Sequence, residues 1–165
     1  MRRIISILLQ NEAGALARVA GMFSARGYNI DSLTVATTHD PSVSRLTLVT
    51  FGDESVIDQI VKQSRKLVDV LEIADLTTRD HVEAELLMVK IAGGDAAAVR
   101  EFVLLHPGAQ LFDTAGSAST IRFVGTGRQV NAFLEELESV AHILELARSG
   151  TAALERGEAV LMPAM

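Results

Sequence analysis

The chain contains no cysteine and a single tyrosine, Tyr28. The first absence removes disulfides, thiolate metal sites, iron–sulfur clusters and cysteine nucleophiles together, and leaves thiol chemistry silent about compartment. Aromatic residues make up 4% of the sequence, too few for the stacked rings with which an open sheet face reads single-stranded RNA. Basic residues are also short, with 15 Lys and Arg against 21 Asp and Glu and a net charge of −6. That deficit is spread along the chain. Residues 1–76 carry 8 basic and 9 acidic groups and residues 77–165 carry 7 and 12, so neither half is a nucleic-acid-binding module. No apolar run approaches the ~20 residues of a membrane span. Arg2-Arg3 ahead of Ile4–Leu9 resembles the start of a signal peptide, but the run meets Gln10-Asn11-Glu12 with no small-residue cleavage site after it. These absences predict a soluble, cytoplasmic protein that engages neither nucleic acid nor membrane.

What is present is ordinary in bulk and informative in order. Apolar residues at 48% and charged residues at 22% of 165 residues are the composition of a globular protein, with length for one domain or two small ones. Residues 2–10 alternate, with Ile5, Ile7 and Leu9 on one face, as a half-buried strand does. From Gly14 to Ala25 the spacing turns helical, placing Leu16, Val19, Ala20 and Phe23 together, and Gly27 stops the helix. Residues 28–37 return to strand character, and His39-Asp40-Pro41-Ser42 is a turn into a second strand over 44–51. Asp53 caps a helix to about Arg65, with Val56, Ile57, Ile60 and Val61 inward. Leu67–Leu76 is a fourth strand. This is β-α-β-β-α-β, the ferredoxin-like arrangement.

After Thr77-Thr78-Arg79-Asp80 the order repeats. Strand 82–92 leads through Gly93-Gly94-Asp95 to a helix ending at Leu105, which His106-Pro107-Gly108 breaks. A hairpin of 109–113 with 119–124 turns around Gly116. A helix after Gly127 carries Val130, Phe133, Leu134 and Leu137 inward, and 142–147 is a last strand. The prediction is an α+β chain of two ferredoxin-like βαββαβ domains, 1–78 and 79–165. The second ends in a short tail, unassigned from Arg148, that carries apolar Leu161, Met162 and Met165. Domains this small have marginal cores and exposed sheet edges, so a homodimer is expected.

Catalytic chemistry finds little footing. His39, His81, His106 and His142 fall in four separate segments, none at ligand spacing with another histidine or a carboxylate. No GxSxG, HExxH or GxxxxGK[ST] pattern occurs. Gly125-Thr126-Gly127 is half of a phosphate loop, and turn chemistry accounts for it. Asp53-Glu54 and Glu135-Glu136 read as cap and solvated helix face.

Residues 11–35 stand out. A strand ends at Gln10, the loop Asn11-Glu12-Ala13-Gly14 follows, and a helix begins near Gly14-Ala15. Uncapped N–H groups at a helix start attract an anion, and glycine lets a ligand approach the backbone. Asn29, at the start of the next strand, offers an amide that accepts from an ammonium and donates to a carboxylate. With Leu16, Ile30 and Leu33 as apolar contacts, the set matches an amino-acid zwitterion. A plain glycine turn with a hydrogen-bonded asparagine is the alternative.

That segment resembles the ACT domain, a βαββαβ module that binds amino acids at dimer interfaces. More closely, the chain resembles the regulatory (small) subunits of acetohydroxyacid synthase, also called acetolactate synthase. The resemblance rests on MRRIISILLQNEAGALARVAGMFSARGYNIDSLTVA at 1–36, SRLTLVTFGDE at 44–54, QIVKQSRKLVDVLEI at 59–73, LMVKI at 87–91 and ARSG at 147–150. The resemblance implies an N-terminal ACT domain for effector binding and dimerisation, and a non-catalytic subunit that binds no cofactor itself. It further implies a large catalytic partner using thiamine diphosphate, Mg2+ and FAD in branched-chain amino-acid synthesis, and feedback inhibition by L-valine. Carried over by motif, the valine site comprises Asn11, Ala13, Gly14, Ala15 and Leu16 of one protomer, with Asn29 and Ile30 of the other. Many relatives carry serine where this chain has Ala13, so backbone groups serve there. A stand-alone ACT-type amino-acid sensor acting on another partner is the alternative function.

Overall fold

The alternating segment at the N-terminus forms the central strand of a sheet in a computed structural model that describes residues 1–163, the side chains of 113–115 excepted. Met165 lies outside the described residues. The first six elements are β1 (Arg2–Gln10), α1 (Ala15–Ala25), β2 (Ser32–Thr37), β3 (Val43–Phe51), α2 (Glu54–Ser64) and β4 (Val70–Asp75). The sheet runs in the order β2-β3-β1-β4, with β1 antiparallel to both β3 and β4. A two-residue period puts Ile5, Ile7 and Leu9 on the helix-facing side. They join Val19, Phe23, Leu46, Leu48, Ile57, Ile60 and Ile73 in one core.

A second set repeats the order: β5 (His81–Ala92), α3 (Ala96–Leu105), β6 (Ala109–Ala115), β7 (Ala118–Gly125), α4 (Gly127–Leu137) and β8 (His142–Arg148). Its strands run β6-β7-β5-β8, the same permutation as the first sheet, over a core that includes Leu87, Val89, Ile91, Ile121, Phe123 and Phe133. The chain is thus α+β, built of two βαββαβ units.

The compact units are residues 1–82 with the stretch from Thr151 onward, and residues 83–150. The tail contributes a ninth strand, β9 (Ala152–Glu155), which pairs with β5. Ala153 and Leu161 pack on Ile4, Val49, Ala74 and Leu76, the first sheet's face away from its helices. For that reason β1 is buried on both sides rather than half-buried: seven of its nine residues, Arg3 to Leu9, are buried.

Local structure differs from expectation at β4, β2 and α1. β4 begins at Val70 rather than Leu67, where the Val70 N–H closes a turn on Leu67 O at 3.1 Å. β2 begins at Ser32 because 28–31 still belongs to the helix exit, where Tyr28 N–H donates to Phe23 O at 3.0 Å behind Gly27, whose φ is 67°. The buried face of α1 is Ala15, Val19, Met22 and Phe23, so Leu16 turns outward, 37% exposed. The half phosphate loop at 125–127 is a helix cap. Thr126 Oγ1 accepts from Gln129 N–H, while Gln129 Oε1 accepts from Thr126 N–H at 2.8 Å.

Candidate functional site

The loop Asn11–Gly14 leaves the end of β1 and must reverse direction in four residues to start α1. Gly14 makes the turn as the N-cap residue with φ 88° and ψ −12°, a left-handed conformation that L side chains adopt at a cost. No side chain caps the helix. Ala15 N–H donates to Glu12 O at 3.2 Å, and Arg18 N–H to Gly14 O at 2.9 Å. Among the described residues, the N–H groups of Leu16 and Ala17 meet no acceptor. The helix start therefore presents two unspent donors and the positive end of its dipole to the exterior.

Asn11 is committed to the scaffold. Its Nδ2 donates to Pro41 O at 2.8 Å and its Oδ1 accepts from Ser44 Oγ at 3.1 Å. Its own N–H donates to Ser42 O at 2.7 Å. These bonds tie the loop to the turn between β2 and β3. Ala13 is exposed and Ala15 is buried, so what Ala15 gives a ligand comes from its backbone alone. Leu16 is exposed beside the uncapped donors.

Asn29 and Ile30 lie elsewhere. Asn29 is exposed and its carbonyl accepts from Thr50 Oγ1; Ile30 and Leu33 pack partly buried against the first core. The register places them at the opposite end of the sheet. Ser32 pairs with Val49 and Thr37 with Ser44, while Leu9 also pairs with Ser44. Six residues of β2 span roughly 20 Å, so one chain brings together residues 11–16 and holds 29–30 far from them. β2 is, however, an edge strand, with Val35, Ala36 and Thr37 exposed.

One residue beside the site escaped the reading of the sequence. Arg18 makes a two-pronged ion pair with Asp69, through Nε to Oδ2 at 2.5 Å and Nη2 to Oδ1 at 2.7 Å. The Asp69 side chain is 3% exposed and that of Arg18 48% exposed. The hydrogen bonds from Arg18 hold the Asp69 carboxyl below the usual carboxylate range, and Asp69 raises Arg18 in turn. The guanidinium lies over Gly14: a Cβ built there would fall 2.8 Å from Arg18 Nη1. A separation of 51 residues and the absence of any motif hid this pair.

The four histidines remain apart. His106 closes α3 with Nδ1 2.8 Å from Phe102 O and Nε2 3.2 Å from the Glu136 carboxylate. Its ring packs 4.3 Å from Phe102 and 5.2 Å from Phe133, a role in the second core. Among the described residues no three His, Asp or Glu side chains gather to hold a metal ion, and no helix is long and apolar enough to cross a membrane.

Comparison with known proteins covers both units. Residues 5–72 match the model of the AHAS small subunit-like ACT domain, and residues 84–157 that of the small subunit of acetolactate synthase. The chain is 48% identical over 163 residues to the acetolactate synthase isozyme 3 small subunit of Escherichia coli, covering 98% of this chain and 99% of that protein. It is 42% identical to the acetolactate synthase small subunit of Haemophilus influenzae, covering 96% and 98%. Among solved structures, the acetolactate synthase small subunit of Thermotoga maritima superposes with a TM-score of 0.86 at 29% identity, covering 96% of this chain and 99% of that one.

Proposed function

Since the chain belongs to the family of acetolactate synthase small subunits, we propose that it is a non-catalytic regulatory subunit conferring valine feedback on its synthase. In this reading it raises the activity of a thiamine-diphosphate-dependent catalytic subunit, which condenses two pyruvates or pyruvate with 2-ketobutyrate. Thiamine diphosphate, Mg2+ and FAD belong to that partner, and in this reading both subunits work in the cytoplasm.

The observation that carries the reading is the uncapped start of α1 behind Gly14, set at one end of an edge strand. A second copy pairing its β2 antiparallel to this one, centred near Thr34–Val35, brings its residues 29–30 to the 39–42 turn, which Asn11 holds against the 11–16 loop. One site then has donors from both protomers. The valine carboxylate takes the free N–H groups of Leu16 and Ala17. The ammonium takes the Asn29 amide oxygen of the second copy, and the side chain lies on Leu16 and Ile30. Binding across a two-fold fixes the orientation of two protomers. A preference of ~1–3 kcal/mol for the orientation that fails to activate suffices for feedback.

Calorimetric titration with L-valine, against L-isoleucine, D-valine and L-lysine, tests it. The expected result is saturable L-valine binding at one or two sites per dimer, lost in Asn29→Ala. Copurification with a large thiamine-diphosphate protein is expected alongside. Valine binding with no such partner would turn the reading to a stand-alone sensor, and no amino-acid binding would overturn feedback sensing by this chain.

A further inference from the structure

Arg18 has a division of labour that its geometry makes explicit. A guanidinium presents three nitrogens, and Asp69 takes two of them, Nε and Nη2. The third, Nη1, carries no bond to Asp69 and lies over Gly14, 2.8 Å from where a Cβ would stand. Asp69 is buried, and its carbonyl accepts from Gln10 N–H at 2.8 Å, so the carboxylate that grips Arg18 is anchored to the last residue of β1. A half-exposed arginine with two prongs held this way is pre-oriented, and little side-chain freedom is left to lose when Nη1 takes a partner.

The charges around it select among ligands. Glu12, in the same loop, is the other carboxylate whose field reaches the guanidinium. One cation therefore stands beside two carboxylates, which disfavours a simple anion such as phosphate or a 2-keto acid. A ligand with both a carboxylate and an ammonium satisfies the donors at Nη1, Leu16 and Ala17 without adding net negative charge. Resting on the regulatory reading above, we infer that Arg18, oriented by Asp69, is the residue that recognises the effector's carboxylate and restricts the site to zwitterionic α-amino acids.

Calorimetry on the full-length chain tests this with four ligands. They are L-valine, L-valinamide (no carboxylate), isobutylamine (no carboxyl carbon) and 2-ketoisovalerate (no ammonium). Wild type is expected to bind L-valine about 10- to 100-fold more tightly than any of the other three, the fold-change a charge-assisted hydrogen bond supplies. Arg18→Gln is expected to weaken L-valine by that factor and leave L-valinamide unchanged, so that the preference disappears. Arg18→Lys separates recognition from scaffolding. A lysine ammonium can pair with Asp69 and restore the thermal midpoint, but as a single point charge it cannot also serve the ligand across Gly14. The expected result is a chain as stable as wild type that still fails to prefer valine over valinamide.

Restored valine affinity in Arg18→Lys would reduce Arg18 to an ion-pair strut and overturn the inference. So would a preference for valine that persists in Arg18→Gln. These failures differ from failure of the underlying reading, in which the wild-type chain binds no amino acid at all and both fall together.

Discussion

Gly14 answers to two demands, one from its backbone and one from its neighbour. Its φ of 88° penalises any side chain by about 1–2 kcal/mol, and Arg18 Nη1 occupies the space a Cβ would enter. Gly14→Asp therefore places a carboxylate against the guanidinium, where an effector carboxylate would bind. In a synthase assay with saturating valine, this variant is expected to keep activation of the catalytic subunit and lose inhibition. Wild-type-like inhibition would remove Gly14 from the site. The Arg18–Asp69 pair also carries a pH signature. Because the folded carboxyl lies below its ordinary value, the pair's contribution is present above the unfolded aspartate pKa of about 3.9. It is lost as pH falls through the lower, folded value. Urea unfolding at pH 7 and pH 3 is expected to show Asp69→Asn clearly less stable than wild type at pH 7, with the gap narrowed at pH 3. Asn11, Gly14 and Leu16 were legible in the sequence because a strand end, a glycine and a helix start are adjacent along the chain. Arg18 was not, since its meaning depends on Asp69, which only the fold brings near.

Elements were legible wherever burial and hydrogen bonding share one period. β1, α2 and α4 fall within a residue or two of their expected bounds for that reason. The start of β2 does not, because Tyr28 and Ile30 alternate like strand residues. They pack on the core while the Tyr28 N–H closes the preceding helix. α1 misled in another way. Its apolar spacing admits two overlapping faces, and Met22 rather than Leu16 completes the buried one, which leaves a leucine at the candidate site. β2 itself is six residues of edge strand with its last three exposed, a surface that pairs with another strand unless something prevents it. In the proposed dimer Val35, 40% exposed, lies close to its own symmetry mate. Val35→Lys sets two like charges across the axis. It is expected to weaken dimerisation by at least about tenfold, a cost of about 1.4 kcal/mol, in sedimentation equilibrium. Valine affinity is expected to fall with it when measured at the same protein concentration. A tight Val35→Lys dimer would exclude β2 from the interface.

Across the whole chain, two units share one strand permutation, yet the sequence does not divide cleanly between them, since the last stretch from Thr151 returns to the first unit. This was the least legible feature. Ala152–Glu155 is too short to show a period, and Leu161 and Met162 look alike whether docked or frayed. The reason for the return is physical. In a βαββαβ unit both helices cover one face of the sheet, leaving the other in water, and here that other face is apolar. Ile4, Val49, Ala74 and Leu76 are each at most 5% exposed beneath Ala153 and Leu161. Polar ties accompany the packing: Arg45 Nη2 donates to Ala153 O at 3.2 Å, and Arg79 pairs with Glu155 at 2.7 Å. The Arg79–Glu155 pair is solvent-exposed in part and worth less than about 1 kcal/mol, so apolar cover is the larger contribution. A chain ending after Gly150 returns several aliphatic side chains to water. At about 1.5–3 kcal/mol for each one fully uncovered, partial uncovering amounts to a loss on the order of 2–4 kcal/mol in urea unfolding. Arg79→Ala in the full-length chain is expected to cost less than about 1 kcal/mol. If the two changes prove equally mild, the tail is a passenger and the first sheet's outer face owes its burial to something else. A large loss on truncation with a small one in Arg79→Ala assigns the tail its role as the missing layer of the first unit.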